Sequence, residues 1–304
     1  MSRRSTYWRV VFLAVFFSTA GFGAIIFSRR PSNTRVWAAD QAKTPEIVMA
    51  DSLARIANVR NFHYRTETDF DPDYGTRTYN LNRVESVWLV LTPFSRAWRG
   101  PAHSFVTFGF SDSTYLAVSI EARREANESY GLLKGLGRNF ELIYVIGEEN
   151  DLIGKRAAFG DFDVYLYPIK APPERIRAML VDMLNRAESL NLRPEFYNTA
   201  NNNCTSNLIR HVNTVSPGRI PAGLKLLVPG YADDVAQSLG LIDSTVPLAT
   251  SRAKYRINEL ARGAAGRPDF SRLIRAGRQE THSALPQPTV SAVSWISTRP
   301  SEDE

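Results

Sequence analysis

His103-Ser104-Phe105-Val106-Thr107-Phe108-Gly109-Phe110-Ser111-Asp112-Ser113-Thr114-Tyr115-Leu116-Ala117-Val118-Ser119-Ile120-Glu121 decides the fold. β-branched and aromatic residues fill it on both sides of Ser111-Asp112-Ser113, so it reads as two strands joined by a tight turn. Folding the chain back about Asp112 brings His103 opposite Glu121 at the far ends of the strands.

Further strand-like segments lie outward from this hairpin, at Asn58 to Thr68, Val84 to Leu91, Phe140 to Ile146 and Phe162 to Ile169. Pro172 and Pro173 then open the clearest helix. Ile176, Met179, Leu180, Met183, Leu184, Ala187 and Leu190 fall on one face of it at helical spacing, as core residues do. After a loop containing Pro194 and Tyr197 come Asn201-Asn202-Asn203 and a second helix starting at Cys204. Strands, long helix, then a second helix predict an α+β domain with a largely antiparallel sheet packed against helices. Short helices are expected at Tyr231 to Leu239, Ile257 to Ala264 and Phe270 to Arg278.

The chain has 304 residues, a net charge of +6 and a pI near 9.5. From Val10 to Phe27 there is no charged residue, which is about the length that crosses a bilayer. Arg3, Arg4 and Arg9 precede this run and Arg29 and Arg30 follow it, so charge counts do not orient it; the short basic N-terminus favours an uncleaved single-pass anchor with the C-terminus outside. A cleaved signal peptide ending near Val36-Trp37-Ala38 and a twin-arginine export signal at Ser2-Arg3-Arg4 are the alternatives. The division that follows is anchor 1–30, linker 31–46, main domain 47–215, helical extension 216–283 and a disordered Pro/Ser/Thr-rich tail 284–304. The basic charge suits anionic lipid. Lys and Arg are scattered rather than striped with aromatics, so no nucleic-acid partner is expected.

Cys204 is the only cysteine, so it forms no internal disulfide. Asn203 is a good N-cap, which puts the thiol in the first turn of its helix. There the unpaired N–H groups and the positive end of the dipole favour an anionic sulfur and can hold an oxyanion. The plain alternative is a small buried core residue. A nucleophilic thiol needs a base. His282 lies in the tail, His63 sits among charged neighbours, and His211 is two helical turns, roughly 10 Å, from Cys204. That leaves His103, with Glu121 placed to orient it. No metal-ligand spacing, phosphate loop or dinucleotide fingerprint occurs, so neither metal nor cofactor is expected.

Several stretches resemble the Lnb-type N-terminal periplasmic domain. They are Val59-Arg60-Asn61-Phe62 with Tyr64 to Phe70, Ala102-His103-Ser104-Phe105 with Phe108-Gly109-Phe110, Ser119-Ile120-Glu121-Ala122-Arg123, Tyr197-Asn198 and Asn202-Asn203-Cys204-Thr205. They fall in order across roughly Arg60 to His211. The resemblance implies a bacterial, periplasm-facing domain with a Cys/His site, like the lipoprotein N-acyltransferases. Histidine on a strand before cysteine on a helix also resembles permuted papain-like folds such as the lecithin:retinol acyltransferase group. By motif position Cys204 carries over as nucleophile, His103 as base and Glu121 as a further site residue. Asn203, Tyr197 and Arg123 are expected at the oxyanion or substrate. The family's acyltransferases carry several membrane helices after this domain, and here nothing after Arg30 is apolar for long enough.

The expected protein is therefore an inner-membrane, single-pass thiol acyltransferase or hydrolase with its domain in the periplasm. Its substrate is a membrane lipid or lipoprotein. A cysteine amidase acting on cell-wall peptide and a non-catalytic binding domain are the rivals.

Overall fold

The computed structural model describes residues 28–95, 97, 99–221 and 228–278, with scattered positions between 7 and 21. In chain order the strands are β1 (Glu46–Ala50), β2 (Leu53–Arg60), β3 (His63–Tyr64), β4 (Phe70–Asp71), β5 (Tyr74–Asn80), β6 (Val84–Pro93), β7 (Ala102–Phe110), β8 (Tyr115–Arg123), β9 (Glu141–Gly147) and β10 (Tyr165–Pro168). The α-helices are α1 (Glu149–Leu152), α2 (Gly154–Ala157), α3 (Pro173–Leu192), α4 (Cys204–Val215), α5 (Ala232–Ser238), α6 (Leu248–Tyr255), α7 (Asn258–Ala264) and α8 (Phe270–Leu273).

Eight strands form one sheet in the order β1-β2-β9-β8-β7-β6-β10, with β5 also paired to β2. All pairs are antiparallel except β2 with β9, which meet at Arg60 and Gly147. A Cβ on Gly147 would stand 2.8 Å from the Arg60 carbonyl oxygen, so only glycine allows this approach. The fold is thus the mixed α+β architecture the sequence predicts.

The central hairpin forms as read. Ser111, Asp112 and Ser113 make a three-residue loop between Phe110 and Thr114, with Ser113 at φ 62°. One face of the sheet is covered by α3 and α4. The apolar stripe of α3, from Ile176 to Leu190, is buried there in full. Each of its large side chains contributes about 1.5–3 kcal/mol. The opposite face packs on α1, α2, α7 and α8 around Trp88, Phe105, Leu152, Ile153 and Phe270.

The structure departs from the sequence reading in several places. Asn58 to Thr68 is not one strand. β2 ends at Arg60, after a register shift and Asn58 at φ 59°, and β3 pairs separately with β4. Phe270 to Arg278 is helical only to Leu273, and turns follow with Gly277 at φ 71°. The stretch 31–46, expected as a linker, packs on the domain. Trp37 is buried and bridges to Glu125, the Arg123 guanidinium lies 4.2 Å over its ring, and Asp40 and Gln41 are buried. Among the described residues no helix is long and apolar enough to cross a membrane. Most of the anchor expected at Val10 to Phe27 lies outside the described residues, as do the tail 284–304 and His282.

Candidate active site

Cys204 is the first residue of α4 and is buried. Asn203 caps the helix by accepting from the Ser206 N–H, and Ser206 Oγ accepts from the Asn203 N–H. This capping box fixes where the helix starts, and so where the sulfur sits. The N–H groups of Cys204 and Thr205 make no hydrogen bond among the described residues, as expected for the first helical positions. They are free donors beside the thiol. The sulfur meets Ser104 Oγ at 3.9 Å and Thr205 Oγ1 at 3.8 Å.

His103 and Glu121 lie close together. β7 and β8 pair from Gly109–Tyr115 to Val106–Val118, and the same register carried on sets His103 across from Glu121. The strands part before that point, and Ser119 fills the space. Its Oγ lies 2.8 Å from His103 Nε2 and donates to Glu121 Oε1 at 2.8 Å, while the direct His103–Glu121 separation is 3.7 Å. Arg156 donates to the same Oε1 at 3.1 Å, and Gln41 donates to Oε2 at 2.9 Å.

Burial works to raise the Glu121 carboxyl, but Arg156, His103, Arg60 and the Ser119 hydroxyl hold it well below the usual range. It is therefore a carboxylate that can only accept. Ser119 gives it the hydroxyl proton, so Ser119 Oγ must accept from His103 Nε2–H. Burial, helped by Arg156 and opposed by Glu121, brings the imidazole down to about 3. At neutral pH the ring is neutral, with its lone pair on Nδ1.

Acid should expose this. The unfolded chain takes up a proton on His103 below pH 6.5, whereas the folded chain resists until about pH 3, so stability falls as pH drops through that window. Glu121 adds a loss in the same direction, beginning below 4.5. His103→Gln should make the decline between pH 6.5 and 4.5 shallower, leaving the part that buried His211 contributes, read as melting temperature against pH. Parallel curves for the two proteins would sink the assignment.

His103 and Cys204 approach the sheet from different sides. Successive strand residues point to opposite faces. Ser104 points to the sulfur, whereas the His103 ring packs on Phe105, 5.4 Å between centroids, in the layer of α1 and α2. Neither of the sulfur's polar contacts is an imidazole.

The other expected site residues are placed as follows. The Asn203 side chain is engaged at both ends: its Oδ1 accepts from the cap N–H and its Nδ2 donates to the Thr199 carbonyl. Tyr197 is buried beside Tyr130. Burial lifts its phenol far above the ordinary value, and Cys204, Tyr130 and Glu121 add to this, so it stands within electrostatic reach of both Cys204 and Glu121. Arg123 does not pair with Glu121. It donates to the Gln41 and Ala42 carbonyls and to Asn33, and burial pulls it down to about 10. His211 is a core residue held between Tyr144 and Asp182, at 2.6 Å from each, and His63 is exposed.

Sequence reasoning missed Ser119, Ser104, Arg156 and Gln41. Alternation alone would have put Ser119 on the face of Glu121 and Ser104 opposite His103. Arg156 and Gln41 come from segments with no periodic signal. Among the described residues no cluster of acidic, histidine or cysteine side chains is set to hold a metal.

An α+β domain with a capped-helix thiol and a buried His–Ser–Glu chain on neighbouring strands defines the class. The chain belongs to the Lnb N-terminal periplasmic domain family, whose model matches residues 70–230. No curated protein and no solved structure matches it.

Proposed function

We propose that this protein is a periplasmic thiol enzyme that transfers or hydrolyses an acyl group carried as an ester on a lipid or lipoprotein. The observation that carries the reading is the place of Cys204, buried at the first position of a capped helix beside two free N–H donors. The Cys204 proton passes to His103 Nδ1 as sulfur attacks the ester carbonyl. The Cys204 and Thr205 N–H groups receive the oxyanion. The carbon–oxygen bond then breaks, and His103 returns the proton to the departing alkoxide, leaving a Cys204 thioester for an amine or water to open. The ring and the sulfur lie toward opposite faces of the sheet, so this transfer requires His103 to turn through the opening where β7 and β8 part once substrate is bound. Catalytic hydrogen bonds often tighten only when substrate binds. Histidine on a strand ahead of cysteine on a helix supports kinship with permuted papain-like enzymes. An apolar run at Val10 to Phe27 would hold the domain at the inner membrane.

The test is mass spectrometry of the full chain after incubation with bacterial membrane lipids. An acyl mass on Cys204, absent in His103→Ala, is the expected result. An adduct formed only with cell-wall peptide would instead mark an amidase. The burial of Cys204 and its lack of an imidazole partner favour a second reading, a binding domain without turnover. A thiol that reacts only after unfolding would establish it. Glu121→Gln should keep the fold and Cys204 labelling but lower turnover by roughly one to four orders of magnitude, the scale for losing an orienting group. Unchanged turnover would remove Glu121 from the mechanism.

A further inference from the structure

Helix α4 is apolar over a wider arc than its contact with the sheet uses. Cys204, Leu208 and His211 are buried, while Ile209, Val212 and Val215 on the adjoining stripe are only half-buried. These three line a cavity of about 140 Å³ together with Leu89 of the sheet, Met179 of α3 and Val235 of α5. Half-exposed apolar side chains that converge on a concave space mark a binding site more often than a packing fault.

The polar lining is divided along α4. Ser104 and Thr205 lie at the helix's N-terminal end; Lys170, Arg175 and Arg219 lie at its C-terminal end, and no carboxylate lines the space among the described residues. Thr205 and Val215 are separated by ten residues of helix, on the order of 15 Å. Arg175 bonds the Val215 carbonyl and Ser216, and Arg219 bonds the Leu239 carbonyl, so each guanidinium keeps donors in reserve. The Lys170 side chain makes no hydrogen bond among the described residues. Asp243, whose carboxyl Lys170 helps to hold low after Thr245, is the acidic neighbour.

We infer that this cavity binds a single-chain amphiphile with an anionic head, the head on Lys170, Arg175 and Arg219 and the chain running along α4 toward Thr205. An apolar interior excludes water and accepts hydrocarbon. Three cations at one end select an anion over a neutral alcohol. This pose sets the methyl end of the chain, not its carbonyl, near Cys204. The anionic head thus sits at the end of α4 away from the thiol, while the chain end abuts Ser104 and Thr205, which touch the sulfur; binding itself needs no thiol chemistry.

The experiment uses the full chain in nanodiscs of zwitterionic phospholipid, loaded with radiolabelled decanoate as the probe, a chain short enough for the run of about 15 Å along α4. Dodecanoate should displace the probe at least about tenfold better than dodecanol, the scale of one charge-assisted contact. The pair Lys170→Gln and Arg219→Gln should erase that preference while leaving dodecanol unchanged. Val212→Trp, which fills the cavity, should abolish probe binding while melting as a folded protein. Binding should persist in Cys204→Ala, where the thiol chemistry is gone. Stronger displacement by dodecyl phosphate than by dodecanoate would make phosphate the natural head. Failure of the probe to bind, equal displacement by dodecanol, or full binding by folded Val212→Trp would each overturn the proposal.

Discussion

Cys204→Ala should lower acyl turnover by roughly three to six orders of magnitude, the range for removing a nucleophile from a site whose parts act as a unit. The protein should remain folded. The substitution removes one sulfur atom from a buried position and leaves the Asn203–Ser206 capping box intact, so the helix start is not at stake. Ser104→Ala is the matched control. Ser104 touches the sulfur and also Thr205 Oγ1 at 3.1 Å, but it has no proton role in the proposed reaction. It should cost about 0.5–1.5 kcal/mol of stability, the net worth of one hydrogen bond, with a small change in rate. Release of acyl product by purified protein, with melting temperature measured alongside, separates the two. A Cys204→Ala protein within tenfold of the parent would end the thiol reading whatever the labelling experiments gave.

The hairpin and the long helix were legible because both rest on periodicity. β7 and β8 are strongly β-branched and aromatic on either side of a polar turn, and the α3 stripe keeps helical spacing for four turns. Asn203 was legible as a cap from its chemistry alone. The polar surroundings of the site were not. Ser119 sits between His103 and Glu121 because the strands part at that end, and no sequence pattern records where a ladder stops. Arg156 belongs to a four-residue helix and Gln41 to a 3-10 turn, both too short to carry a period. The face of His103 was the subtler matter. Alternation fixes that His103 and Ser104 point apart, but only the packing of α4 shows which of them meets the thiol. β5 was invisible for a related reason. Its segment, Tyr-Gly-Thr-Arg-Thr-Tyr-Asn, buries only Tyr79 and lacks the apolar alternation of a half-buried strand.

Asp151→Ala should unfold the domain far more readily than any surface change, by about 3–5 kcal/mol, the cost of leaving a buried charge without its partner. Asp151 and Arg60 are both almost fully buried. Asp151 accepts from Arg60 Nε at 2.9 Å and Nη2 at 2.7 Å, from the Phe62 N–H at 2.8 Å and from the Tyr64 hydroxyl at 3.1 Å. Arg60 spends its remaining Nη1 on the Asp40 carbonyl, and its guanidinium lies 5.0 Å from the Phe62 ring centre. Burial alone would lower the Arg60 guanidinium, and Asp151 is the main group that raises it instead, so removing Asp151 leaves the buried guanidinium without what chiefly offsets its desolvation. The melting temperature should fall by roughly 6–20 °C for a domain of this size. A double variant, Arg60→Met with Asp151→Leu, should recover a large part of the loss, because it removes both charges instead of stranding one. The effect should reach the candidate site as well. The pair ties the end of β2 to α1, the Asp40 turn leads into Gln41, and α2 carries Arg156, so two of the groups holding Glu121 hang on it. Asp151→Ala at a temperature where it is still folded should therefore lose turnover beyond its unfolded fraction. If the single variant melts within about 2 °C of the parent, a shift worth about 1 kcal/mol or less, the pair is not holding this corner of the fold.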